Sequence, residues 1–148
     1  MTETPLVFTQ PAWLGLAFAV SSLLVLARGL QGEAKPGYWV GVFALAFGAA
    51  QVWTSYVRFD DRGASQRSMF IGQSIPWRDI ASAEVVHRTG GGGVDTLELK
   101  DASGQREVHL VLGDLGRERG AALAQALFTR LPPALAPQAR VVAEKTAR

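Results

Sequence analysis

Residues 11–27 read PAWLGLAFAVSSLLVLA and residues 37–53 read GYWVGVFALAFGAAQVW, and the reading of these two stretches decides the fold. Each lies inside a longer run without Asp, Glu, Lys, Arg or His: Thr4 to Ala27, 24 residues, and Pro36 to Val57, 22 residues. About 20 predominantly apolar residues, rising 1.5 Å each, cross a bilayer as a helix. Neither run alternates like a half-buried strand or carries the polar stripe of a surface helix. In lipid every backbone polar group needs an internal partner, which a helix supplies. The sequence therefore predicts an N-terminal segment over 1–10, a transmembrane helix over 11–30, a short loop over 31–36 and a second transmembrane helix over 37–57. Pro11 falls in the first turn of one helix and Pro36 just before the other, where a missing N–H costs little.

The flanks agree. Trp13 stands near the start of the first span, Tyr38 and Trp39 open the second, and Trp53 and Tyr56 close it. Aromatics with a polar edge collect at membrane interfaces. A soluble core hairpin is the poorer reading, because uncharged runs of this length rarely come so close together in soluble folds. A cleaved signal peptide lacks support: no Lys or Arg precedes the first run. Gly15, Ala19 and Ser22 share one side of the first helix, and Ala44 and Gly48 are four apart on the second. Small residues so spaced let helices approach closely, within the hairpin or with a copy. Gln51 is the only amide in the spans. With no Asp, Glu, Lys, Arg or His inside either uncharged run, a pump or charge-coupled transporter is disfavoured. Arg58, Arg62 and Arg67 after the second run outnumber Arg28 and Lys35 between the runs, which tilts both termini toward the cytoplasm.

Composition fits. The chain has 148 residues, 48% hydrophobic and 19% charged, with mean hydropathy +0.12; soluble domains run at about 25% charged. A mainly disordered chain is excluded by the hydrophobic content, collagen by Gly without a three-residue period, and disulfide or cysteine chemistry by the absence of Cys. Beyond Val57 lie 13 of the 15 basic and 11 of the 13 acidic residues. That near balance offers no basic stripe for nucleic acid.

Short strand signals follow. Ser55–Phe59, Ala64–Ile71, Ser74–Pro76, Ile80–Arg88, Val94–Lys100 and Arg106–Leu112 are punctuated by turns at 60–63, 90–93 and 101–104. Closely spaced strands with tight turns read as a meander that curls into a barrel or sandwich. Leu115, Ala122, Leu123, Ala126, Leu127 and Leu131 then fit one face of a helix, which Pro132-Pro133 ends. Residues 132–148 show no sustained period and are expected to form a flexible tail.

The stretch Ser55–Arg88, above all Ile75-Pro76-Trp77-Arg78-Asp79-Ile80, resembles the pleckstrin-homology-like (PH-like) domain of small bacterial membrane proteins. There, one or two hydrophobic spans precede a strand, an acidic turn containing Gly, a second strand and an I-P-W-x-x-I signature. Asp60-Asp61-Arg62-Gly63 matches the turn, and Ile75, Pro76, Trp77 and Ile80 match the signature. The resemblance covers residues 38–131. It implies a two-helix membrane hairpin followed by a small, mostly-β PH-like barrel or sandwich over 55–131 with one C-terminal helix. Ser55 to Leu131 is 77 residues, short for seven strands and a helix. Either a strand is missing, or the barrel is open and completed by a partner or a copy.

The candidate sites are few. The apolar neighbours of Trp77 favour packing over binding. The four glycines 90–93 lack the Gly-Lys-Ser/Thr of a phosphate loop. His87 and His109 are too few for a metal site. No nucleophile elbow or paired-carboxylate site is visible, so neither an enzyme nor a cofactor is expected. Arg58, Arg62, Arg67 and Arg78 are the candidate binding residues. Each basic group near an anionic leaflet is worth about 1 kcal/mol. The resemblance implies phosphoinositide recognition; the residues do not, because the first turn has two Asp and one Arg. A solvated, weakly lipid-facing surface is expected.

The sequence thus predicts a non-catalytic, multi-pass protein of the bacterial inner membrane. Its cytoplasmic PH-like domain is expected to act as an interaction or assembly module, with membrane lipid and either a second copy or another membrane protein as partner. The alternatives are a lipid-responsive module reading anionic headgroups, and an accessory subunit of a transporter or envelope enzyme complex.

Overall fold

The computed structural model describes residues 5–10, 12–33, 36–89, 93–113 and 115–147. Pro11, Lys35 and Gly90–Gly92, to which the sequence assigns a helix start, an orienting charge and a loop tip, lie outside the described residues. The chain divides into two compact units. One comprises Val57–Gln66, Gly72–Arg148 and the stretch ending at Val7; the other comprises Phe8–Tyr56 and Arg67–Ile71.

The second unit is helical. Helix α1 (Ala12–Arg28) leads into a π-type turn, Gly29–Glu33, and helix α2 (Pro36–Thr54) follows. Gly32 takes φ 92°, a left-handed conformation that favours glycine and breaks the helix there. The helices pack antiparallel. Gly15 meets the Trp53 ring and Phe18 meets Gly48, while Ser22 Oγ donates to Val42 O at 3.2 Å. Gly15 and Ser22 are buried, and a Cβ on Gly15 would lie 2.7 Å from Trp53 Cδ1. Ala44, read with Gly48 as a packing pair, is exposed, whereas Gly48 packs on Phe18.

Among the described residues, one helix, Ala12–Gly32, is long and apolar enough to cross a membrane. Two such spans are expected from the sequence. The second helix, α2, ends at Thr54 rather than at 57.

The β unit holds two sheets. The first has strand order β1-β2-β3-β4, with β1 Leu6–Thr9, β2 Tyr56–Phe59, β3 Gly63–Arg67 and β4 Gly72–Pro76. The second is the antiparallel meander β5 (Ile80–Arg88), β6 (Val94–Asp101) and β7 (Glu107–Val111), with Leu97 opposite Val85 and Leu110. Leu97 and Leu99 share one side of the pleat, as alternation demands, and both are fully buried with Phe59, Ile75, Val108, Leu112, Leu123 and Leu127.

The structure differs from the expected elements at three points. First, a strand absent from the sequence expectation lies before the helices: β1 pairs with β2. Second, the strand expected over Ala64–Ile71 ends at Arg67. Residues 68–71 form a turn closed by Ser68 N–H to Ile71 O at 2.8 Å, and β4 starts at Gly72. Third, the stretch 132–148, expected as a flexible tail, carries helix α4 (Gln138–Thr146), packed on α3 (Gly116–Arg130). Ala139, Val142 and Thr146, spaced three and four apart, are buried on one face of α4. Burying Val142 alone contributes about 1.5–3 kcal/mol. The close approach requires Gly120, where a Cβ would overlap the Thr146 side chain.

Candidate functional site

The I-P-W signature sits at the end of β4 and the 3-10 turn Trp77–Asp79 that leads into β5. Ile75, Trp77 and Ile80 are buried, and Pro76 is half-buried. The turn before β3 is shaped by Asp60, whose Oδ1 accepts the N–H of Arg62 at 2.9 Å and of Gly63 at 3.2 Å. Such side-chain capping of its own turn is what Asp supplies at this position. Gly63 is needed because a Cβ there would sit 2.8 Å from Pro76 Cα. Trp77 closes the arrangement. Its backbone N–H donates to Arg62 O at 3.3 Å, and its indole N–H to Asp60 O at 2.7 Å. Its ring stacks on Phe59, 6.1 Å between centroids.

Arg130 of α3 lies over the Trp77 ring at 6.0 Å and pairs with Asp61 at 3.1 Å. Its side chain is only 16% exposed. No local signal could identify this residue, because its partners are more than fifty positions away.

The four candidate arginines are not brought together in one unit. Arg58, Arg62 and Arg78 belong to the β unit, and Arg67 to the helical unit. Arg58 pairs with Asp60 at 3.1 Å, and Arg78, 88% exposed, reaches Asp79 at 3.6 Å. The Trp77 N–H to Arg62 O bond places Arg62 and Arg78 on neighbouring turns. Asp60, Asp61 and Asp79 are interspersed among these cations, so the surface is mixed in sign rather than a concentrated anion cradle.

A second constellation, absent from the sequence reading, crosses the meander. Glu98, nearly buried, accepts from Arg88 Nη2 at 2.6 Å, pairs with Lys100 at 3.2 Å, and lies 3.7 Å from His109 Nδ1. His109 Nε2 is 3.0 Å from Glu107. The Arg88 hydrogen bond, ahead of opposing desolvation, holds the Glu98 carboxyl below its ordinary range, and Glu98 raises the pKa of Lys100. Asp95 binds His87 at 2.9 Å and Lys145 of α4 at 3.2 Å, and its pKa is lowered, first by the His87 hydrogen bond. Asp101 accepts from Arg106 at 2.8 Å and from Ser103 at 2.8 Å. The Arg106 bond brings its pKa down to about 2. These groups tie strand to strand and helix to sheet.

The open edge of β7 is treated in the same way. Its N–H groups at Glu107 and His109 donate to the side-chain carbonyls of Gln73 (2.7 Å) and Gln66 (2.8 Å). Two glutamines thus occupy the donors that a neighbouring strand would otherwise use. No group of three or more His, Asp or Glu set to hold a metal occurs among the described residues. Compared with protein-family models, curated proteins and solved structures, the chain matches none.

Proposed function

We propose that the chain is a two-span protein of the inner membrane whose β unit is a PH-like domain, held at the cytoplasmic face as a non-catalytic interaction and assembly module. One observation carries this reading: the helix pair is packed inside out. Small residues, Gly15, Ser22 and Gly48, lie between the helices, while Trp13, Leu16, Leu23, Leu24, Val40 and Phe43 are exposed. A soluble domain would bury those side chains; a helix pair in lipid presents them outward and keeps small residues at its interface. The four-plus-three strand arrangement followed by a helix supports the PH-like reading, as does the buried Ile75–Ile80 signature. The pairing of Asp95, Glu98 and Asp101 with cations of the same unit suits a scaffold rather than a reaction centre.

Native co-purification tests the function. The full-length chain would be lightly crosslinked in its own membranes, extracted gently, and its companions identified by mass spectrometry. A stoichiometric protein partner is the expected result. Recovery of self-copies with enriched anionic lipid would overturn it in favour of a lipid-responsive anchor built on Arg62 and Arg78.

A further inference from the structure

We infer that the β3–β4 turn, Ser68-Met69-Phe70-Ile71, is a third membrane-embedded element, seated in lipid beside α2. The inference rests on reading α2 as a membrane span. Met69, Phe70 and Ile71 are consecutive and exposed, Phe70 at 73%. Three such side chains on a turn between two polar strands are out of place in water. The turn belongs to the helical unit. Phe70 stacks on Phe47 of α2, 5.6 Å between centroids and 22° between planes. Phe47 precedes the interfacial Trp53 by six residues, about 9 Å along a helix. A ring stacked at that height lies below the headgroups when Trp53 sits at the interface.

Irregular backbone at membrane depth is tolerated only where its polar groups are satisfied. Here Ser68 N–H donates to Ile71 O at 2.8 Å, and Met69 N–H donates to Gln51 Oε1 at 3.3 Å. Gln51, the only amide in the stretches 11–27 and 37–53, thus serves the turn. Arg67, exposed at its base, is placed to snorkel its guanidinium toward the headgroups while its stem follows the apolar residues. The occupant of this surface is the lipid bilayer itself.

Because the chain has no Cys, single-cysteine variants of the full-length protein in lipid nanodiscs test this directly. Phe70→Cys, Leu24→Cys, Phe43→Cys and Gln105→Cys would each carry a nitroxide. Collisions with oxygen and with a water-soluble nickel chelate would then be compared. The expected result is loss of nickel collisions at Phe70→Cys, as at Leu24→Cys and Phe43→Cys and unlike Gln105→Cys in the β6–β7 turn. Nickel access at Phe70→Cys equal to that at Gln105→Cys, with the helix sites protected, overturns the embedded turn and leaves the hairpin standing. Nickel access at all four sites overturns the hairpin reading and the turn with it.

Discussion

The indole N–H of Trp77 donates to the backbone carbonyl of Asp60 at 2.7 Å, across 17 residues of chain. This bond fixes the β2–β3 turn against the start of β5, while the ring face packs on Phe59 and beneath Arg130. Trp77→Phe removes the bond and leaves most of the ring, so it is expected to cost about 0.5–1.5 kcal/mol. Trp77→Ala also removes the packing and is expected to cost about 3–5 kcal/mol. Denaturant unfolding of the full chain in mild detergent separates the two; equal losses would deny the ring its packing role.

Gln66 and Gln73 act as stand-ins for a missing strand at the β7 edge. The double variant Gln66→Ala, Gln73→Ala leaves two N–H groups unpaired, at about 1–3 kcal/mol for each that remains buried. It also bares an edge that a second copy can extend by strand pairing. Light scattering after size exclusion should show concentration-dependent association of the variant, absent in the parent. A variant that associates no more than the parent assigns the glutamines to stability alone.

Acid should loosen the β6–β7 turn late. The folded-state pKa of Asp101, about 2, lies below its ordinary 3.8. A carboxyl lowered on folding contributes stability above its unfolded pKa and loses it as pH falls through the folded value. The Asp101–Arg106 contribution is therefore complete above about pH 4 and fades toward pH 2. Asp95 and Glu98, also lowered, carry the same sign. In Asp101→Asn the stability profile between pH 4 and pH 2 should be flatter than in the parent, as read by unfolding at fixed ionic strength.

Gly120 sets how closely α4 lies on α3. Gly120→Leu should displace α4 and expose Val142, and hydrogen exchange over 138–146 should accelerate while that of β6 does not. The loss is of the order expected for overpacking, about 1–3 kcal/mol. Unchanged exchange at 138–146 would show that α4 holds without this contact.

Within the helix pair, Gly15→Leu and Gly48→Leu push against Trp53 and Phe18 respectively. Both should lower the thermal midpoint of the pair, Gly15→Leu more so, because it meets an indole at 2.7 Å whereas Gly48 meets Phe18 at 3.3 Å. The order of the two midpoints, measured by the fluorescence of the tryptophans, is the check.

Much of this architecture is legible in local sequence. The uncharged runs mark the helices, Val94–Lys100 shows which residues share a face, and Asp60–Gly63 reads as a turn on turn chemistry alone. What escapes is long-range or weakly apolar. Four residues, Leu6–Thr9, make β1, but their partner strand begins at Tyr56, so no local pattern distinguishes them from the flank of a helix. Residues 139, 142 and 146 carry a helical spacing, yet Ala and Thr supply too little hydrophobicity to announce α4 behind two prolines. The arginines are visible as charges, and the pairs Arg58–Asp60 and Arg78–Asp79 are local in the chain, whereas Arg130–Asp61 joins residues far apart in sequence. Gln51, Gln66 and Gln73 look unremarkable in sequence, since an amide that caps a distant N–H leaves no periodic trace.

Strand β1 has a consequence for how the protein is made. It leaves the ribosome before the helices, and its partner β2 follows only after both helices have been synthesised. At about 5–20 residues per second, Leu6–Thr9 waits several seconds with its backbone groups unmatched. During that interval the helices emerge and must find their own environment. The first sheet is therefore completed only after both helices, because β2, β3 and β4 all follow them in the chain.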